Sequence, residues 1–330
     1  MVKVIAGIDE AGYGPLLGPL VVGAASVEFE HAFDVPEGSI PDLWQPLKGV
    51  LSKTRDKTGK RLHVNDSKLV YTPTVGLANL EKAVLSLCPA ASLDDLIARV
   101  APKTALGREA GRDHLLDRLD WYDASTEEKF PAECGEMSLT LSRGVVERGL
   151  RQAGVKEVRF HTDVVVETRL NRLFDKMNNK GSVLSSLSLA LLYQLLTEHE
   201  QKGLLVVCDR QGGRTSYGPL LRAMFEDWQV DVMKEQDGFG EYAMRRGGHV
   251  SRVIFMEKSE QANLPTALAS MMCKYLRERL MDRLSRYWTS RVPGLKETAG
   301  YWTDGLRFMS DIGPYCVENG IDTKRMVRTR

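Results

Sequence analysis

The chain has 330 residues, of which 43% are hydrophobic and 27% charged, and its formal net charge is +1. These proportions are ordinary for a globular protein, and no apolar run approaches the roughly 18 residues that a membrane span needs, so we expect no membrane partner. The near-zero net charge neither supports nor excludes nucleic acid as a partner, because binding depends on a local basic face.

Residues 7–20, GIDEAGYGPLLGPL, form the most informative segment. The preceding residues are mostly apolar and β-branched, which predicts a buried strand that leads to Asp9 and Glu10. The glycines that follow allow the backbone to approach a ligand closely. Two acids at the mouth of a buried strand need a cation or hydrogen-bond donors, and a divalent metal is the natural partner. The simpler alternative is a turn in which Asp9 is a cap and Glu10 is solvated.

Residues 19–28 predict a second strand paired with the first. Residues 65–68, Asn-Asp-Ser-Lys, are typical of a helix N-cap and by themselves predict capping of a helix over about 74–87. Residues 88–160 combine a helical stretch at 93–100 with a polar, charged run at 103–133. We interpret this part of the chain as an insertion.

A long helical pattern covers residues 168–200, and Gly181 is expected to interrupt it. The apolar run at 203–209 predicts a buried central strand that ends in Asp209. A helix near 217–225 and a hairpin with strands at 230–233 and 240–245 are expected next. A strand at 250–256 follows, and then a helix that starts after Pro265.

Three predicted strand ends therefore carry acids, namely Asp9 with Glu10, Asp209, and Glu257 with Glu260. Carboxylates gathered at one end of a sheet are the arrangement that two-metal phosphodiester hydrolysis requires. Oxygen donors favour Mg²⁺ or Mn²⁺, and these acids are accompanied by no histidine and by no cysteines at metal-ligand spacing, which disfavours zinc.

These motifs resemble those of ribonuclease HII, the type 2 ribonuclease H family. The segment DEAGYGPLLGP closely matches that family's Asp-Glu-Ala-Gly-Arg-Gly-Pro-Leu-Ala-Gly-Pro motif, and residues 65–68 match its Asn-Asp-Ser-Lys motif. Residues 206–209 are similar to the strand that supplies its third carboxylate. Residues 258–260 and 269–274 are similar to its Lys-Gly-Asp and Ala-Ser-Ile-Leu-Ala-Lys motifs, and residues 300–303 to its Gly-Tyr-Gly-Thr segment. All five blocks occur in the family's order.

The resemblance implies an α/β fold in which a ribonuclease H-like mixed sheet is flanked by helices, with a helical C-terminal portion. It implies a catalytic domain over 1–292, with insertions at about 88–160 and 215–250, and a substrate-contacting portion over 293–330. The implied activity is metal-dependent cleavage of RNA in RNA–DNA hybrids, or at ribonucleotides embedded in a DNA duplex. The products would carry 3′-hydroxyl and 5′-phosphate ends.

The resemblance also implies roles for residues at matching positions. Asp9, Glu10, Asp209 and Glu260 would hold two Mg²⁺ or Mn²⁺ ions. The other implied contacts are with substrate: the backbone of Gly12, Tyr13 and Gly14 with the ribose 2′-hydroxyl, Lys68 and Lys274 with phosphates, and Tyr301 with the deoxyribose beyond the junction. The 2′-hydroxyl is the group that distinguishes RNA from DNA.

Two residues depart from the family pattern. Tyr13 stands where the family has arginine, which leaves open the preference for single ribonucleotides or long hybrids. Glu260 stands where the family has aspartate, so Glu257 and Glu278 remain alternatives for the fourth carboxylate. Two other functions also remain open: a catalytically silent relative that binds hybrids, and an ATP-using phosphotransferase with a related core. The second is disfavoured because no phosphate-cradling glycine loop opens a helix.

Cellular location is indicated only indirectly. The five cysteines are scattered without metal-ligand spacing, and the first residues lack the regions of a signal peptide. These features favour the reduced cytoplasm, and we expect a cytoplasmic monomer whose partner is a ribonucleotide-containing duplex.

Overall fold

The computed structural model describes residues 1–100, 119–123, 128–211 and 214–329. Within these residues the centre of the fold is a seven-stranded mixed sheet with the order β5-β2-β1-β6-β9-β8-β7. Its strands are β1 (Val2–Ala11), β2 (Leu20–Phe33), β5 (Val155–Val165), β6 (Leu204–Asp209), β7 (Gln229–Gln236), β8 (Phe239–Arg246) and β9 (His249–Met256). The short strands β3 (Leu51–Ser52) and β4 (Leu62–His63) form a separate parallel pair.

Helices flank this sheet. They are α1 (Ser67–Val70), α2 (Ala78–Leu87), α3 (Leu93–Val100), α4 (Glu136–Gln152), α5 (Glu167–Met177), α6 (Lys180–Glu198), α7 (Gly218–Met224), α8 (Ser259–Ala262), α9 (Leu264–Thr289) and α10 (Trp302–Glu318). Short 3₁₀ turns lie at Asp120–Tyr122, Glu200–Lys202 and Thr323–Arg325. In the part of the chain that is described, no helix is both long and apolar enough to cross a bilayer.

Two hydrophobic cores lie on opposite faces of β1, because successive side chains of a strand point to opposite faces. Ile5 packs into a core that includes much of α9, whereas Val4, Ala6 and Ile8 pack into a core that includes α6. A strand buried on both faces reads as the continuous apolar run seen in the sequence. The predicted α/β fold, with a mixed sheet flanked by helices and a helical C-terminal portion, is confirmed.

Strand pairing brings the carboxyl ends of three central strands together at one end of the sheet. β1 runs parallel to β6, with Ile8 opposite Cys208, and β6 runs parallel to β9, with Asp209 opposite Met256. Because parallel strands end on the same side, the residues that follow β1, β6 and β9 are neighbours. The predicted hairpin is also confirmed, since β7 and β8 pair antiparallel at the edge of the sheet.

Two helix boundaries differ from the prediction. The break between α5 and α6 lies at Asn178, whose φ of 50° is left-handed, and Asn179 accepts a hydrogen bond from the N–H of Ser182. Gly181 lies inside the first turn of α6, so the expected interruption at Gly181 is wrong. Asparagine both tolerates the left-handed conformation and caps helices, so these two residues end one helix and begin the next.

The Asn-Asp-Ser-Lys segment caps a different helix from the one expected. The carboxylate of Asp66 accepts from the N–H of Lys68 and caps the four-residue helix α1, whereas α2 starts at Ala78. The chain leaves α1 at Tyr71 in an extended conformation. Pro73 follows closely, and the residue before a proline disfavours the helical region. The predicted cap over 74–87 is therefore wrong.

The segments interpreted as insertions contribute to both edges of the sheet. Residues 88–160 contain α3, α4 and the first half of β5, and β5 is an edge strand paired with β2. Residues 101–118 and 124–127 of this segment, and Gly212 and Gly213 of the loop after Asp209, lie outside the described residues. Residues 215–250 contain the β7–β8 hairpin at the other edge. The domain boundaries themselves remain a prediction.

Candidate active site

Four carboxylates lie at the end of the sheet where the central strands β1, β6 and β9 terminate. Asp9 and Glu10 are the two residues before the last residue of β1, Asp209 is the last residue of β6, and Glu260 lies in α8 shortly after β9. We call these four residues the acidic group. The sheet topology therefore gathers side chains that are far apart in the chain.

The carboxylates of the acidic group repel one another. Burial raises the pKa of Asp9 well above its ordinary value, and the charges of Glu10 and Asp209 raise it further. Burial and the charges of Asp209 and Glu260 raise the pKa of Glu10 to about 7, although Lys68 acts in the opposite direction. The pKa values of Asp209 and Glu260 are also raised, chiefly by burial. Each member therefore favours a nearby positive charge.

Lys68 is a cation that the fold itself supplies to this group. Burial alone would lower its pKa, but the charges of Asp66, Asp9, Glu260 and Asp209 raise it. Its backbone is fixed by the cap of α1, in which Asp66 Oδ1 accepts from the Lys68 N–H at 3.0 Å. The side chain is exposed and can contact a ligand above the acids.

Hydrogen bonds orient the carboxylates. Asp9 Oδ1 accepts from the Glu10 N–H at 2.8 Å, and the Ser270 hydroxyl of α9 also stabilises the charged form of Asp9. Asp209 Oδ1 accepts from the hydroxyl of Ser259 at 3.2 Å and from its N–H at 3.3 Å. These bonds leave carboxylate oxygens for other partners, since an ionised carboxylate has about four acceptor sites.

The donor chemistry of the acidic group fits a hard divalent cation. Its members offer only carboxylate oxygens, and their pKa values are raised partly by their mutual repulsion, which a cation relieves. Among residues 1–100, 119–123, 128–211 and 214–329, no three His, Cys, Asp or Glu side chains already meet the geometry of a metal site. The structure thus gathers the donors without fixing their coordination.

The two alternative carboxylates have other partners. Glu257 is mostly exposed and accepts from Arg210 at 3.1 Å. Glu278 accepts from Lys274 at 2.7 Å and from the Tyr71 hydroxyl at 3.0 Å. The structure therefore brings Glu260, rather than Glu257 or Glu278, into the acidic group.

The glycine loop that follows Glu10 is held by contacts from distant parts of the chain. Gly12 has a φ of +87°, and a Cβ there would lie 2.5 Å from Nε of Arg277, so a side chain is excluded. Gly14 is exposed, with open space around it. Leu16 and Leu17 donate their N–H groups to the carbonyl of Gly300, which places Tyr301 next to this loop. Tyr301 is 56% exposed.

A buried polar network beneath the loop was not found from the sequence. Arg328 donates to the carbonyls of Gly12, Pro15 and Gly18, and Glu167 accepts from the N–H of Gly18 at 2.9 Å. Glu167 also accepts from the Tyr122 hydroxyl at 2.8 Å. Burial lowers the pKa of Arg328 to about 10. No local sequence pattern marks these residues, because their partners lie far away in the chain.

The chain is similar in sequence to a known protein. It is 35% identical over 97 residues to ribonuclease HII of Syntrophus aciditrophicus (strain SB). The resemblance to ribonuclease HII is thereby confirmed. The match covers 29% of this chain and 43% of that protein, so it spans less than half of the relative's length. No protein-family model matches the chain.

Among solved structures, similarity is found to the ribonuclease HII of a PCNA complex from Archaeoglobus fulgidus, with 14% identity and a TM-score of 0.43 over 99% of this chain and 94% of that one. Ribonuclease H2 of Pyrococcus horikoshii OT3 gives 15% identity and a TM-score of 0.42, with coverages of 98% and 92%. Bst-RNase HIII in complex with Mn²⁺ gives 14% identity and a TM-score of 0.40, with coverages of 99% of this chain and 66% of that one. These values are low, and no functional inference rests on them.

Proposed function

We propose that the protein is a metal-dependent endoribonuclease of the ribonuclease H type, which cleaves RNA in RNA–DNA hybrids or at ribonucleotides embedded in DNA. The products carry 3′-hydroxyl and 5′-phosphate ends. The observation that carries the proposal is that Asp9, Glu10, Asp209 and Glu260 converge beside Lys68, where the central strands of the sheet end. The similarity to ribonuclease HII supports the same reaction class.

In this proposal the acidic group holds two Mg²⁺ or Mn²⁺ ions. Such ions activate a water molecule and stabilise the leaving oxygen of a phosphodiester. Ser259 and Ser270 keep the carboxylates of Asp209 and Asp9 oriented toward the site. A neighbouring cation lets Glu10, whose pKa is raised to about 7, keep its charge at neutral pH.

The remaining residues bind and position the substrate. Lys68 lies beside the acids and contacts a phosphate, whereas Lys274 exchanges its present partner Glu278 for one. The backbone of Gly12, Tyr13 and Gly14 contacts the ribose 2′-hydroxyl, and the exposed Tyr301 stacks on the deoxyribose beyond the junction. Lysine contacts to phosphates fix the duplex without reading its sequence. We further propose that the protein acts in the cytoplasm as a monomer.

The test uses labelled duplexes that carry one ribonucleotide, a ribonucleotide stretch or none, with Mg²⁺ or Mn²⁺. We expect cleavage only of strands that contain ribonucleotides, and loss of cleavage in Asp9→Asn. Asp34→Asn is the matched control, because Asp34 is exposed next to Phe33, which pairs with Val2 at the far end of β1. Cleavage of DNA alone, or activity that survives in Asp9→Asn, would contradict the proposal. Binding of hybrids without cleavage would favour the silent relative.

A further inference from the structure

The ammonium group of Lys180, at the start of α6, lies over the aromatic ring of Tyr13. Nζ of Lys180 lies 4.6 Å from the ring centroid of Tyr13, within the roughly 6 Å at which a cation is attracted to an aromatic face. Burial raises the pKa of Tyr13, and the charge of Glu10 raises it further. Tyr13 is thus within electrostatic reach of the acidic group, and the ammonium on its ring stands near the rim of the candidate active site.

The local fold holds Lys180 in this position. Asn178 ends α5 in a left-handed conformation, and Asn179 caps α6, so Lys180 is the first residue of a helix of 19 residues. That helix is anchored in the hydrophobic core through Leu184 and Leu187. Because asparagine tolerates the left-handed conformation, Asn178 can end α5 directly before α6 begins.

The helix that leads to Lys180 presents further positive charge. Arg172 and Lys176 are exposed and lie four residues apart, so they share one face of α5. Arg169, in contrast, is paired with Asp163. Asp175 is also exposed on this helix and offsets one of the two charges, so a modest positive charge remains on α5.

We propose that Lys180 binds a backbone phosphate of the ribonucleotide-containing strand beside the Gly12–Gly14 loop, with the ring of Tyr13 holding the ammonium in place. The proposal rests on the function proposed above. Lysine binds phosphate as a point charge, so its ammonium needs no fixed hydrogen-bond geometry to contact a phosphate. The loop itself has tyrosine where the family motif has arginine, so α6 supplies the positive charge that the loop lacks.

The test is the salt dependence of binding. The affinity of the metal-free protein for an RNA–DNA hybrid is measured between about 50 and 200 mM salt, because each phosphate contact contributes about 0.9 to the slope of log K against log salt. For Lys180→Ala and Lys180→Gln we expect a slope smaller by about 0.9 and an affinity about eightfold weaker at about 0.1 M salt. Lys180→Arg keeps the charge and should keep the slope.

The matched control is Lys3→Ala, since Lys3 lies near the start of β1 and Asp9 near its end. If wild type cleaves hybrids and both neutral variants keep the wild-type slope and affinity, the role of Lys180 is refuted while the proposed function stands. If wild type binds hybrids without cleaving them and the slope of the neutral variants is smaller by about 0.9, the role of Lys180 holds and the catalytic proposal fails. If wild type neither binds nor cleaves hybrids, both proposals are wrong.

Discussion

Glu81 is the residue whose replacement should reveal most about how the helices around the site are held together. It is completely buried in α2, and its carboxylate accepts four hydrogen bonds. The donors are the N–H groups of Ala132, Glu133 and Cys134, at 3.0, 2.7 and 2.7 Å, and the hydroxyl of Tyr275, at 2.8 Å. Tyr275 lies in α9, the helix that carries Ser270 and Lys274. Glu81 thus joins α2, α9 and the segment that precedes α4.

The magnitude follows from these four bonds. A hydrogen bond to a charged group contributes about 1.5–3 kcal/mol, and removing one partner of a buried charged network costs about 3–5 kcal/mol. Glu81→Ala leaves the buried hydroxyl of Tyr275 and three partly buried N–H groups without this acceptor, so we expect the free energy of unfolding to fall by about 3 kcal/mol. Glu81→Gln keeps one accepting oxygen and turns an NH₂ group toward N–H donors, and should lose about 2 kcal/mol.

The pH dependence of stability provides a second readout. Burial by itself would raise the pKa of Glu81, but the four hydrogen bonds hold that pKa below its ordinary value of 4.5. A lowered pKa in the folded state stabilises the protein above pH 4.5, and this contribution is lost as pH falls through the folded pKa. The difference in stability between wild type and Glu81→Gln should therefore shrink below about pH 4.5.

Urea unfolding measures both effects. Glu147→Ala is the control, because Glu147 is exposed on α4 and forms a surface ion pair with Arg151, so the change should alter stability by less than about 0.5 kcal/mol. A loss below about 1 kcal/mol in Glu81→Ala would refute the reasoning, since the buried donors would then have found other partners.

Three further predictions concern the site and the sheet. Gly7→Ala places a Cβ 2.2 Å from the backbone nitrogen of Thr266, so thermal unfolding should show a loss of stability of at least about 1–3 kcal/mol. The control is Gly144→Ala, which adds its Cβ in open space on α4 and should be neutral or stabilising. Burial lowers the pKa of His199, as it does those of His63 and His161, so stability should decrease as pH falls below about 6.5. His199→Gln should make this decrease smaller, and an unchanged decrease in the variant would contradict the prediction. Mg²⁺ at about a hundred times its Kd should stabilise wild type by about 2.7 kcal/mol, and an equal gain in Asp209→Asn would argue against a metal held by the acidic group.

The sequence predicts what short-range patterns determine. Apolar runs that end in acids predict β1 and β6, and their common direction in the sheet then places Asp9 and Asp209 together. The hairpin of β7 and β8 follows from the alternation of its residues. Glu260 follows β9 closely in α8, so the motif order made it a candidate, but the sequence left Glu257 and Glu278 as alternatives.

Long-range polar contacts could not be predicted in this way. Glu167 and Arg328 carry charges that usually indicate exposed positions, and only the folded chain shows that each is buried against the glycine loop. The break at Asn178 also depends on which of several candidate breakers fits the packing of two helices. Lys180 was missed for the same reason, although the four-residue spacing of Arg172, Lys176 and Lys180 offered a weak indication of a basic face.

The hydrogen bonds from Arg328 to the glycine loop affect the order in which the protein folds during its synthesis. The β1–β2 pairing needs only neighbouring parts of the chain, whereas the bond from Arg328 to Gly18 joins residues 310 positions apart. Contacts at such separation form late, because a very long segment must first be ordered. On the ribosome, the acids of β1 therefore emerge long before the guanidinium that holds their loop, and a nascent chain passes most of its synthesis without a finished site.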